Sequence, residues 1–191
     1  MDQGKKEESL EAIKESLKVA SQITDALDKS RTYLEISKVL FEQGRKEKSL
    51  EVIKESLKVA SKITYNEGKS ESYFEISHAL MDQGKKEESL EVIKESLKLA
   101  SDITNNYDKS LAYTKISKVL MNQGEKGESL ELIKESLKVA SDIIDKNPDS
   151  YIKISRFLIN KGKKEESLKV ASDIKDDRLK SSAYQAISKA L

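Results

Sequence analysis

The pair Gln-Gly returns at a fixed interval along the chain. Gln3-Gly4, Gln43-Gly44, Gln83-Gly84 and Gln123-Gly124 stand forty residues apart, and Lys161-Gly162 follows after thirty-eight. Nearly the same text follows each glycine, as in Lys48-Ser49-Leu50-Glu51-Val52-Ile53-Lys54-Glu55-Ser56-Leu57-Lys58-Val59-Ala60-Ser61. A repeat of this length is one supersecondary unit that cannot bury its apolar face alone and must stack on its neighbours. The blocks run 1–40, 41–80, 81–120, 121–158 and 159–191. They are expected to form a single solenoid domain over 1–191, with function carried on a surface rather than in an enclosed catalytic pocket.

Each block holds two helical patterns. The first, helix A, is expected at about residues 29–43, where Tyr33, Ile36, Ser37 and Leu40 fall at i, i+3, i+4 and i+7 on one helical face. Gly44 ends it by admitting a left-handed backbone. The second, helix B, is expected at about residues 46–64, with Leu50, Ile53, Leu57 and Ala60 as its apolar seam. Glu51, Lys54, Glu55 and Lys58 fall on its solvated side. Residues 25–28 and 105–108, rich in Asp and Asn, read as links back to the next helix A, and Pro148 suits a helix start. The last block lacks seven residues of helix B. Seven residues are close to two turns, so the seam keeps its phase while the helix loses about 10 Å.

Composition narrows the function classes. Charged residues make up 36% and hydrophobic residues 37%, but the apolar ones are periodic, which argues against disorder. Thirty-five basic and 34 acidic residues leave a net charge of +1, and hence no global attraction to nucleic acid or to an anionic membrane. There is no cysteine for disulfide or thiolate chemistry. No apolar run approaches the ~20 residues that span a bilayer, and the first residues lack the apolar stretch of a signal peptide. A soluble, cytoplasmic protein is the expectation.

These patterns resemble the tetratricopeptide repeat (TPR). Tyr33, Ile36-Ser37, Leu40, Gly44, Ser49, Ile53 and Ser56 fall at the intervals of that motif, as do Tyr73, Ile76-Ser77, Leu80, Gly84, Ser89, Ile93 and Ser96. The third copy is Tyr113, Ile116-Ser117, Leu120, Gly124, Ser129, Ile133 and Ser136. Tyr151, Ile154-Ser155, Leu158 and Gly162 open the fourth, and Tyr184, Ile187-Ser188 and Leu191 the fifth. The resemblance implies an all-α fold, a right-handed α-solenoid of about ten helices in antiparallel pairs. It departs from the usual motif in its forty-residue period, in serine at the small Gly and Ala positions, and in lacking the proline that closes helix B. Serine stays small enough for close helix approach, and its hydroxyl can bond back to the carbonyl four residues earlier.

No catalytic or metal constellation appears. The single histidine, His78, has no nearby partners of the right kind, and the glycines are isolated. The carboxylates alternate with lysines at helical spacing, as solvated pairs do. The recurring tyrosines read as core. The chain is therefore expected to be no enzyme and to need no cofactor.

Helix B is nearly copied between blocks, whereas helix A varies, and the TPR resemblance places helix A along a concave ligand groove. Its polar strip holds Arg31, Glu35, Lys38 and Glu42, then Glu71, Glu75, His78 and Asp82: two basic and five acidic residues, net −3. The later copies hold Leu111, Lys115, Lys118, Asn122, Asp149, Lys153, Arg156, Asn160, Ser182, Ala186 and Lys189, net +4. Beside the strip, Leu34, Phe41, Phe74 and Met121 are either contacts between neighbouring helices or anchors for a bound peptide. The candidate groove is thus Arg31, Leu34, Lys38, Phe41, Phe74, His78, Lys115, Lys118, Met121, Lys153, Arg156 and Lys189.

The leading expectation is a protein-interaction scaffold whose C-terminal half favours an acidic segment or a C-terminal carboxylate through Lys115, Lys118, Lys153, Arg156 and Lys189. The alternative is an RNA-binding helical-repeat protein, supported by the basic column Lys38, His78, Lys118, Arg156 and Lys189 and opposed by the near-neutral net charge. The first helix is a B helix without its A partner and the last an A helix without its B partner. A segment of a longer array with weak head-to-tail self-association is expected.

Overall fold

The computed structural model describes residues 3–141, 149–160, 162–174 and 176–189, and, of these, the side chains of all but 3–7, 137, 138, 140, 141, 149–154 and 179. Pro148 lies outside the described residues. Among the described residues ten helices follow one another: α1 (Gln3–Gln22), α2 (Ala26–Glu42), α3 (Lys46–Ala60), α4 (Asn66–Asp82), α5 (Lys86–Ser101), α6 (Asn106–Gln123), α7 (Lys126–Ser141), α8 (Asp149–Asn160), α9 (Lys164–Ser172) and α10 (Asp177–Ser188). No strand occurs among the described residues. Even-numbered helices are the A helices and odd-numbered ones the B helices. They group into two compact units, Met1–Leu99 and Ala100–Leu191.

Helix A starts three residues earlier than its apolar pattern shows. Asp25 caps α2 by accepting from the Asp28 backbone N–H at 2.9 Å, and Asn105 caps α6 by accepting from Tyr107 and Asp108 at 2.9 and 3.2 Å. The stretches read as links are therefore caps and first turns. At the other end of α2 the Gly44 N–H donates to the Phe41 carbonyl and the Arg45 N–H to that of Leu40, closing the helix around a glycine at φ +76°. Gly84, Gly124 and Gly162 adopt the same hand, as their spacing predicts.

Helix B stops four residues short of the expected Thr64. At its end Lys62 and Ile63 donate to carbonyls three residues back, at 3.0 Å each, which tightens the last turn. That turn swings Ile63 into the core. Ile103 and Ile174 are buried alike at their own turns. In the shortened last block α9 has 9 residues against 16 in α5 and α7.

Each unit buries a lean core where an A helix meets the B helices. In the first, Leu34, Ile53, Ala60, Ile63, Ile76, Ala79, Leu80 and Val92 form one cluster, and Ile13, Ala20, Ile36, Leu40 and Val52 another. In the second, Ile133, Leu158, Ile159, Val170, Ala171, Ile174, Ala183 and Ile187 pack together. Full burial of one such Ile or Leu side chain contributes about 1.5–3 kcal/mol.

The serines behave differently from the expectation of bonds to the carbonyl four residues earlier. Most bond across the helix pair. Ser49 donates to the Ser37 carbonyl at 2.6 Å, Ser89 to Ser77 at 2.7 Å, Ser129 to Ser117 at 2.7 Å and Ser167 to Ser155 at 2.9 Å. Ser56, Ser96 and Ser136 donate to the carbonyls of Ser30, Ser70 and Ser110 at 2.7–2.8 Å. Small side chains bring the paired backbones close enough for the facing carbonyl to serve as the acceptor. Ser37 and Ser117 do bond within their helix, to carbonyls three residues back.

The recurring glutamine also has a place. Gln83 Nε2 donates to Ser49 Oγ at 2.7 Å, and Ser49 in turn donates to the Ser37 carbonyl, so α4, α3 and α2 share one relay. Gln43 Nε2 reaches Ser9 Oγ on α1 at 2.8 Å in the same way.

Candidate functional site

Consecutive A helices of the first unit enclose a recess of about 490 Å³. It is lined by Arg31, Leu34, Glu35 and Lys38 of α2 and by Phe74, Glu75, His78 and Ala79 of α4. Spacings of three and four residues put these side chains on one face of each helix. Five of the twelve candidate residues, Arg31, Leu34, Lys38, Phe74 and His78, are thereby brought together.

The floor is apolar and the rim is charged. Leu34 is 3% exposed and Ala79 5%, while Phe74 is half-buried. Ala79 gave no signal in the sequence, because a single alanine neither marks nor breaks an amphipathic pattern. On the rim, Arg31 joins the two helices: its Nη2 lies 2.9 Å from Glu71 and its Nε 3.7 Å from Glu75. Lys38 donates to Glu35 at 2.6 Å, and His78 Nδ1 stands 3.1 Å from Asp82. The His78 ring leans on Phe74, centroids 6.5 Å apart. Four carboxylates, Glu35, Glu71, Glu75 and Asp82, thus accompany two permanent cations, Arg31 and Lys38. The lining itself holds two carboxylates, Glu35 and Glu75, and two permanent cations, Arg31 and Lys38.

The other candidates are more dispersed. Phe41 is half-buried under the Lys46 ammonium, 5.9 Å from its ring centre. Met121 is 8% exposed. It and Leu34 therefore pack against their neighbours and offer little surface to a ligand. In the second unit Lys115 and Lys118 of α6 are half-buried, and the Lys118 ammonium lies 5.7 Å from the centre of the Phe157 ring. Arg156 and Lys189 are exposed. Lys153 lies outside the described side chains.

The tyrosines divide. Tyr33 and Tyr73 pack partly against the cores, Tyr113 is buried, and Tyr184 is exposed. Tyr151 lies outside the described side chains. Burial raises the phenol pKa of Tyr73 above its usual value, helped by the Glu95 carboxylate, and burial does the same at Tyr113, helped by Glu135 and Asp102.

Among the described residues no group of three or more His, Cys, Asp or Glu side chains is placed to hold a metal ion. No described helix is long and apolar enough to cross a membrane.

No curated protein matches the sequence. The tetratricopeptide repeat family matches residues 30–63 and 70–103. Among solved structures, Ton1535 of Thermococcus onnurineus NA1 aligns at TM-score 0.62 and 15% identity, over 93% of this chain and 49% of that one. Nearly identical TPR-like repeats from Podosopora anserina align at TM-score 0.58 and 11% identity, over 88% of this chain and 87% of that one. A signal transduction ATPase with numerous domains that carries a tetratricopeptide repeat sensor, from Pyrococcus horikoshii, aligns at TM-score 0.58 and 16% identity, over 91% of this chain and 26% of that one. The chain spans about half the length of the Thermococcus protein and a quarter of the Pyrococcus one. These identities speak to the fold alone, a TPR-like α-solenoid of paired helices. The family match thus covers two of the repeats, and the chain as a whole has a TPR-like fold, with forty-residue repeats and serine at the small positions.

Proposed function

We propose that this protein-interaction repeat scaffold is non-catalytic and takes a peptide or protein segment along the face of its A helices. The observation that carries the reading is the recess between α2 and α4. It is lined wholly by A-helix side chains and combines an apolar floor with a charged rim. That combination anchors a peptide side chain and fixes its orientation.

In the second unit the bases Lys115, Lys118, Arg156 and Lys189, with Lys153, support an acidic segment or C-terminal carboxylate as the ligand. Lys118 and Arg156 are the residues to reverse in testing that preference. An RNA ligand has less support. Two members of the basic column, Lys38 and His78, stand beside the carboxylates Glu35 and Asp82, which repel a phosphate backbone.

Peptide-display selection on the purified chain, followed by NMR mapping of the selected peptides, tests the reading. Shifted amides should cluster on α2 and α4 or on α6 and α8. Shifts confined to the B helices α3, α5, α7 and α9 would overturn it.

A further inference from the structure

We infer that the chain binds a second copy of itself end to end, α10 of one copy docking on α1 of the next as an A helix docks on its B helix. Helices α1 and α10 leave open the two halves of a contact that the internal pairs bury.

In an internal pair a stripe on the B helix, spaced three and four residues apart, faces the A helix before it. On α3 the stripe is Ser49, Val52, Ser56 and Val59, all buried. Ser49 and Ser56 donate to the carbonyls of Ser37 and Ser30 on α2, and Tyr33 packs against the cluster that holds Val52. The counterparts on α1, forty residues earlier, are Ser9, Ala12, Ser16 and Val19. Among the described residues no A helix covers them. Ala12 and Ser16 are exposed, and Val19 is 53% exposed against 8% at Val59. On α10 the counterparts of Ser30, Tyr33 and Ser37 are Ser181, Tyr184 and Ser188, and all three are exposed. One face is a B helix lacking its A helix, and the other an A helix lacking its B helix. Each presents the residue types that the other needs opposite it.

The same gap shows in single atoms. Gln83 donates to Ser49, and Ser49 donates to the Ser37 carbonyl. Gln43 donates to Ser9 in the same way, but the Ser9 hydroxyl finds no acceptor among the described residues. The Ser188 carbonyl of a docked α10 takes the place of the Ser37 carbonyl and completes the relay. On α2, Val39 is 43% exposed, whereas its counterpart Ala79 is buried in a cluster with Leu34 of the A helix before it. The outer faces of end units in stacked repeats are ordinarily polar. Here Ser9, Ser16 and Val19 keep the residues of the interior stripe.

Sedimentation velocity of the whole chain from about 1 µM to about 1 mM covers the affinities of a contact smaller than a standard interface. The two faces are unlike, so the contact can continue from copy to copy, and the weight-average mass should rise about 1.5-fold or more across that range. Ser16→Arg blocks α1 and leaves α10 intact, and Ser181→Arg does the reverse. Both positions are exposed, so each variant should keep the helicity of the parent. Either variant alone should stay monomeric. Mixed in equal amounts they should associate again, because α10 of the first meets α1 of the second, and should stop at two copies. Val19→Arg replaces the first variant, and Tyr184→Arg the second, should circular dichroism show a loss of helix.

A parent that is monomeric at every concentration would overturn the inference and leave the two faces to a neighbouring repeat or to a different protein. Association that survives either variant would overturn it, because the contact would then lie elsewhere. A mixture that stays monomeric while the parent associates would also overturn it, since the contact would then join two like ends.

Discussion

The hydroxyls of Ser30 and Ser56 lie 2.9 Å apart, and Ser56 Oγ donates to the Ser30 carbonyl at 2.8 Å. One residue sits on α2 and the other on α3, and both are fully buried. The same reciprocal contact recurs at Ser70 with Ser96 and at Ser110 with Ser136. It clamps an A helix to its B helix at a separation that only small side chains permit.

Ser56→Ala keeps that separation but leaves the Ser30 carbonyl without this donor. A loss of about 1–2 kcal/mol is expected. Ser56→Val should cost more, because its branches overfill a site closed to hydroxyl distance. Urea midpoints compare the two, and a valine variant as stable as the parent would show that the helices are not held so close.

Two glycines make opposite predictions. Gly44, at φ +76° with open space where a side chain would stand, pays only for backbone hand, so Gly44→Ala should cost about 1–2 kcal/mol. Gly68 is in the first turn of α4, and an added Cβ would meet the Tyr65 ring at 2.3 Å. That ring is 48% exposed and can swing into solvent. The helix preference of alanine, up to ~1 kcal/mol, then offsets the lost contact. Gly68→Ala should change the thermal midpoint little, whereas Gly44→Ala should lower it by several degrees.

Removing Arg31 should reveal an electrostatic contribution of modest size. The guanidinium is 40% exposed and its two partners 35%, so solvent screens the ion pairs to ~1 kcal/mol or less. Arg31→Met also leaves Glu71 and Glu75 as a like-charge pair one helical turn apart, worth a few tenths of a kcal/mol more. The loss should shrink when denaturation is repeated at ~1 M salt, where the Debye length is ~3 Å. A salt-independent loss would mean that the packing of the stem, rather than its charge, dominates.

Tyr73 and Tyr113 should weaken the fold at alkaline pH. Burial raises the pKa of both phenols in the native state above the usual value of about 10. The folded chain therefore holds these protons more tightly than the unfolded one. Their contribution is fully present below about pH 10 and is lost as pH rises from there through the native values. Tyr73→Phe should flatten the fall in urea midpoint between pH 9 and pH 11. An unchanged slope in that variant would remove Tyr73 as a contributor.

Much of this molecule is determined by the sequence itself, because helix formation and face burial are local and periodic. Tyr33, Ile36, Ser37 and Leu40 mark one helix face wherever the next unit stacks. Gly44 marks a left-handed turn that few other residues adopt. Hence the repeat class and the paired helices were legible. The side-chain pairings were not, since they join residues far apart in sequence. Ser30 and Ser56 are 26 residues apart, Gln83 and Ser49 are 34, and Arg31 and Glu71 are 40. Leu34 and Phe74 occupy the same place in successive repeats, yet one is buried and the other half-exposed beside the recess. Periodicity assigns a residue to a face, but its partner depends on how closely two helices approach and on what the next unit places opposite. Only the tertiary structure decides both.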